Sequence, residues 1–106
     1  MLGDNFVRLI GRIKRKKFNT YDSGAVLFKA TLAIPVPPEY TRNQFINVSA
    51  WGDLAEELGS LSENTRIEVQ GHIEKSSFDT TCKYCGGHNT MVWVEVVIDN
   101  FIVLED

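Results

Sequence analysis

Residues 44–61 read Gln44-Phe45-Ile46-Asn47-Val48-Ser49-Ala50-Trp51-Gly52-Asp53-Leu54-Ala55-Glu56-Glu57-Leu58-Gly59-Ser60-Leu61, and the apolar period changes half-way along. Up to Trp51 it is two. Ile46, Val48 and Ala50 share one parity, while Phe45, Asn47, Ser49 and Trp51 share the other, which predicts a strand covered on one face. From Leu54 onward the spacing is helical, with Leu54, Ala55, Leu58 and Leu61 as a short stripe, Asp53 placed as an N-cap and Gly59 near the stop.

Strand patterns lie on both sides of this junction. Before it, residues 5–17 put Val7, Leu9, Gly11 and Ile13 on one parity, and residues 25–34 put Val26, Phe28, Ala30, Leu32 and Ile34 on one face. After it, residues 65–78 turn Ile67, Val69, Gly71 and Ile73 inward. Residues 91–98 do the same with Val92, Val94, Val96 and Ile98, and the run stays apolar to Leu104. Five strands with one helix between the third and fourth is the OB-fold order, a partly open Greek-key barrel. The expected class is therefore all-β with one short helix. Gly11 and Gly71, on inward parities in mid-strand, are expected at bulges or sharp bends. Loops are expected at Asn19–Gly24, at Pro35–Arg42 with its three prolines, and at a hairpin tip near Cys82–Asn89.

With 106 residues, no repeat and no linker, the chain reads as a single domain, 1–106. No stretch approaches the ~18 apolar residues of a membrane span. The first residues carry no charged segment leading into an apolar run, so no secretory signal is expected. Two cysteines exclude a disulfide framework, and the expected location is cytoplasmic. The net charge of −3 hides an asymmetry: residues 1–29 hold seven bases against two acids, whereas residues 53–106 hold three against eleven. Screening cuts exposed charges off beyond roughly 8–10 Å, so the local basic segment matters more than the total. No Ser/His/Asp set, phosphate-cradling Walker loop or metal-spaced carboxylate cluster is present, and the expectation is a protein that is not an enzyme. His72 beside Glu74 reads as plain strand polarity.

The informative feature is where the rings fall. Phe45 and Trp51 share the wet parity of the third strand with Asn47 and Ser49. Phe78 falls on the polar side of the fourth strand, and Trp93 lies beside Glu95 on the fifth. Burying one such ring is worth roughly 1.5–3 kcal/mol, so four of them facing outward need a partner. Loops or a subunit interface would serve. So would unpaired bases, each stacked ring contributing roughly 1–3 kcal/mol whatever the base.

The sequence also resembles the bacterial single-stranded DNA-binding proteins. Asn5-Phe6-Val7-Arg8-Leu9-Ile10-Gly11-Arg12-Ile13 is similar to that family's opening strand, and Leu32-Ala33 to the end of its second. Trp51-Gly52-Asp53-Leu54-Ala55-Glu56 resembles its F-G-K-L-A-E, Ile67–Ile73 its V-Y-I-E-G-R-L, and Val94–Ile98 its T-E-V-V-V. The likeness spans residues 5–104 in order. It implies stacking of DNA on Trp51, Phe45 and Phe78, with Tyr40 nearest to the fourth stacking position, and it implies a homodimer or homotetramer. The departures are Asp53 in place of a lysine, Ser76 and Ser77 in place of two bases, Glu63 in place of a lysine, and an end at Leu104-Glu105-Asp106 without the family's long tail. Fewer phosphate contacts predict lower affinity and a shallower salt dependence.

Arg12, Lys14, Arg15, Lys16 and Lys17 lead out of the first strand and are candidate phosphate ligands, or else a solvated strand end that discourages edge pairing. Lys29, Arg42 and Lys75 are further candidates near the aromatics. Cys82-Lys83-Tyr84-Cys85-Gly86-Gly87-His88 resembles half of a zinc knuckle, with Cys82, Cys85 and His88 as candidate ligands. A fourth ligand is missing, and the reading preferred here is a metal-free turn with no cofactor. Phe6 and Ile10, apolar on the outward parity of the first strand, add to the expectation of a homo-oligomer. The expected function is sequence-nonspecific binding of single-stranded DNA in replication, repair or recombination. The rival is a tail-less accessory factor of the primosomal type, acting mainly through replication or primosome proteins.

Overall fold

The structure is a computed structural model that describes the backbone of residues 3–81 and 88–104, with side chains described for residues 3–75 and 92–104. Its elements run β1 (Val7–Thr20), β2 (Val26–Pro35), β3 (Asn43–Trp51), α1 (Asp53–Gly59), β4 (Arg66–Thr81) and β5 (His88–Val103). The strands close into a barrel in the order β1-β2-β3-β5-β4. All neighbours are antiparallel except β3 and β5, which pair in parallel through Val48–Val96 and Ser49–Val97. This is the five-stranded Greek-key barrel of the OB-fold, with its helix between β3 and β4. The barrel is closed rather than partly open, because β1 pairs with β4 through Val7–Arg12 and with β2 through Arg12–Thr20.

The core follows the alternation. Ile13, Phe28, Leu32, Val48, Ala50, Ile67, Val69, Val96 and Ile98 are buried together, and α1 adds Ala55 and Leu58. Leu27 and Ala33 are buried too, but they lie on the opposite parity of β2 and stand outside that cluster.

Three expectations are corrected and one is met. Asp53 is the first residue of α1 rather than its N-cap; the cap is Gly52 at φ 69°, with no side-chain cap bond. Gly11 sits at no register shift. A Cβ there would collide with the Ala33 carbonyl oxygen, so the glycine serves the close approach of β1 and β2. Gly71 does lie at a shift, between Gln70 and Gly71, where a Cβ would strike the Val97 carbonyl oxygen. Finally, Ile73, Val92 and Val94 keep the inward parity yet are exposed. The β4–β5 hairpin pairs from Gly71–Ile98 out to Thr81–His88, whereas β1 pairs with β4 up to Gly71 and, among the described residues, β3 pairs with β5 at Val96 and Val97. The described part of the hairpin thus projects past the barrel as an arm, and Ile73, Val92 and Val94 are left exposed on its inward face.

Candidate nucleic-acid interface

β1, β2 and β3 lie side by side, so residues in register share a face. Arg12, Ala33 and Phe45 form one row; Lys14, Thr31 and Asn47 form the next; Lys17, Lys29 and Ser49 form a third; Asn19, Leu27 and Trp51 form the last. These rows are the outer face of the sheet. Phe45 is 62% exposed and Trp51 54%, whereas Ser49 between them is only 1% exposed and its Oγ has no hydrogen-bond partner among the described residues.

The register of β1 slips between Lys14 and Lys17, where Arg15 adopts φ 55°. A bulge re-aims side chains, and here it divides the basic run. Arg15 and Lys17 line a groove of about 320 Å³ with Lys29, Asn47, Trp93 and Glu95. Lys16 turns the other way. Its Nζ donates to the carbonyl oxygens of Gly59 (3.1 Å) and Leu61 at the end of α1, and its backbone N–H donates to Glu63 Oε1. Lys16 therefore belongs to the scaffold, not to the candidate phosphate ligands.

Trp93 is half-buried on β5, opposite Ser76. Phe78 has its backbone in β4 opposite Met91, and its side chain lies outside the described residues. Tyr40, 64% exposed, is carried by the 36–42 loop, which closes on itself through Val36 N–H to Arg42 O and Tyr40 N–H to Val36 O, each 3.0 Å. Arg42 is exposed on the same loop. Arg12 donates to the Asn64 carbonyl oxygen at 3.0 Å and Lys14 to Asn64 Oδ1. Lys75 pairs with Val94 on the arm, so it lies on the face away from Trp93. The structure thus brings together Phe45, Trp51, Trp93 and Lys29, with Arg12 and Lys14 one to two rows along, and leaves Lys75 apart. Cys82 and Cys85 lie outside the described residues, as does the His88 side chain. Among the described residues no group of three or more His, Cys, Asp or Glu side chains is arranged to hold a metal ion.

One ring in the site is not predicted by parity. Tyr21, in the β1–β2 turn, stacks on Trp51 at 6.1 Å between centroids with 29° between planes. The turn is set by Gly24 N–H to Tyr21 O and Tyr21 N–H to Ala25 O, each 2.9 Å. A turn residue carries no period, so only the proximity of the β1 end to Trp51 signals it.

Away from this face, two ionic arrangements lie on the β1–β4–β5 side. Arg8 donates to Glu68 Oε1 at 2.5 Å and, aided by Gln70, holds that carboxyl below its usual range. His72 lies between Asp99 (Nδ1–Oδ2 2.9 Å) and Glu74 (Nε2–Oε2 2.6 Å), and these carboxylates raise its pKa, Asp99 most.

With this geometry in hand, comparison with known proteins is informative at the level of fold. No family model and no curated protein sequence matches the chain. A crystal structure of a deletion mutant of the single-stranded DNA-binding protein from Thermus aquaticus superposes with a TM-score of 0.73 at 23% identity. The alignment covers 96% of this chain and 42% of that one. The barrel is therefore of the same fold as a bacterial single-stranded DNA-binding protein, and the chain spans less than half of that neighbour's length.

Proposed function

We propose that the chain binds single-stranded DNA without sequence preference, stacking bases on the outer face of β3 and holding phosphates on β1 and β2. The observation that carries this reading is the placement of exposed Phe45 and Trp51 at the two ends of a groove bearing Arg15, Lys17 and Lys29. Rings that stay exposed give sequence-tolerant stacking, and cations beside them track a backbone. Glu95 in the same groove and the acidic second half of the chain predict moderate rather than tight binding. A role in replication, repair or recombination, in the cytoplasm, accords with this chemistry.

The fold shared with the Thermus aquaticus protein supports the same direction. Assembly into a homodimer or homotetramer is favoured by Phe6, 69% exposed immediately before β1. The second reading, an accessory factor of the primosomal type working through protein partners, is favoured by the exposed Ile73, Val92 and Val94 on the projecting arm, since uncovered apolar patches mark contact surfaces.

Titration of intrinsic tryptophan fluorescence with oligo(dT) at two salt concentrations tests the proposal. Saturable quenching that weakens as salt rises is expected. An unchanged signal, with no binding by an independent method such as fluorescence anisotropy of labelled oligo(dT), would sink it in favour of the protein-partner reading.

A further inference from the structure

Glu95 is an unexpected side chain in a groove that seats a polyanion. It is half-buried on β5 and lines the groove of about 320 Å³ together with Arg15, Lys17 and Lys29. Yet among the described residues no ion pair or side-chain hydrogen bond takes up its carboxylate. Stability does not account for it either. Its partner across the β4–β5 ladder is Glu74, and like charges directly opposite each other destabilise a sheet. Glu74 is engaged by His72 at 2.6 Å, which leaves Glu95 as the acid without a cation.

The surroundings of Glu95 suit a base. Trp93 lies two residues before it on the same face of β5, about 7 Å away at strand rise. β3 and β5 pair in parallel through Val48–Val96, and Asn47 and Glu95 immediately precede these two residues. Both line the groove. A ring, an amide and a carboxylate thus border one space, whose volume is at the low end for a small-ligand site.

A carboxylate in such a place is selective. It accepts hydrogen bonds and donates none. It repels phosphate but accepts from the amines on the edges of unstacked bases. Guanine presents two adjacent donors, N1–H and the N2 amine, which match the two carboxylate oxygens. Cytosine and adenine each present one amine. Thymine presents a single N–H between two carbonyl oxygens, and these face a carboxylate unfavourably.

We propose that Glu95 reads the Watson–Crick edge of one base in the bound strand, with guanine preferred and thymine least favoured. This rests on the single-stranded DNA reading above and refines it at one nucleotide. Stacking on Phe45 and Trp51 stays tolerant of sequence.

The test is anisotropy titration with an oligo(dT) of about eight nucleotides, inside the OB-fold site-size range, carrying one deoxyguanosine at each position in turn. At the best position deoxyguanosine should tighten wild-type binding about fivefold or more, as a bidentate pair does. Deoxyinosine at that position keeps the purine ring and N1–H but lacks the N2 amine, and should lose most of the gain. Glu95→Ala should abolish the gain. The variant should still bind plain oligo(dT) at least as tightly as wild type, since a negative charge has left the groove; that binding also reports that it is folded. No gain at any position, an equal gain for deoxyguanosine and deoxyinosine, or a gain that persists in Glu95→Ala would each overturn the assignment and leave the stacking reading intact. Failure of wild type to bind any of the oligomers would overturn both.

Discussion

The Tyr21 ring lies 6.1 Å from the indole of Trp51, the planes inclined by 29°. The two rings come from different elements, the β1–β2 turn and the end of β3. Offset stacking of this kind is worth ~0.5–1.5 kcal/mol beyond area burial, and it fixes the indole of a residue that is still 54% exposed. A ring already held in place loses less freedom when a base stacks on it. Trp51→Ala should therefore weaken oligo(dT) binding by roughly 1–3 kcal/mol. Tyr21→Ala should weaken it by less, because it removes support rather than the platform. Equal affinity of Trp51→Ala and wild type in anisotropy titrations would refute the β3 platform.

Adjacent bases in the first strand should behave differently. Lys29→Ala should lower the slope of log affinity against log salt by about 0.7, the contribution of one phosphate contact on a single strand. Lys16→Ala should leave that slope unchanged. Its Nζ serves the last carbonyls of α1, so its loss should appear in the urea midpoint, at about 1 kcal/mol for a hydrogen-bonded charged group in a partly exposed place. A salt slope that changes with Lys16 and not with Lys29 would reverse the two assignments.

Much of this was legible in the sequence, and the reason is physical. Alternation in β2 and β3 reports which side chains face the core, and the structure buries Phe28, Leu32, Val48 and Ala50 as that pattern requires. The same alternation misleads at Ile73, Val92 and Val94, because a period of two identifies a face without saying whether anything covers it. The basic run is opaque for another reason. A one-residue bulge at Arg15 reverses the parity that follows, so Lys16 and Lys17, neighbours in sequence, go to the helix end and the groove. Tyr21 sits in a turn, where no period exists to be read.

Gly71 is expected to tolerate no side chain. A Cβ at this position meets backbone, the Val97 carbonyl oxygen, which cannot swing aside as a flexible side chain would. Gly71→Ala should destabilise the barrel by roughly 1–3 kcal/mol, the usual cost of overpacking. The chevron or equilibrium midpoint in urea measures it. A midpoint within error of wild type would show that β4 and β5 separate here at little cost.

His72 gives the stability a pH dependence whose sign is set by its neighbours. Asp99 and Glu74 hydrogen-bond opposite nitrogens of the ring, and only the imidazolium can donate to both. Its folded pKa is raised above the unfolded value of about 6.5. The folded state therefore binds the proton more tightly than the unfolded chain does. The resulting stabilisation is fully present below pH ~6.5 and is lost as the pH rises through the folded value. Glu68 does not interfere in that window: its pKa is lowered by Arg8, so its contribution changes only when the pH falls below the ordinary carboxylate range. Urea midpoints should thus decline from mildly acidic to mildly alkaline pH in wild type, and His72→Gln should flatten that decline. The His72 ring titration followed by NMR should give a midpoint above the unfolded value. A wild-type midpoint at or below it, or identical pH profiles for wild type and His72→Gln, would show that the two carboxylates do not hold the imidazolium in solution.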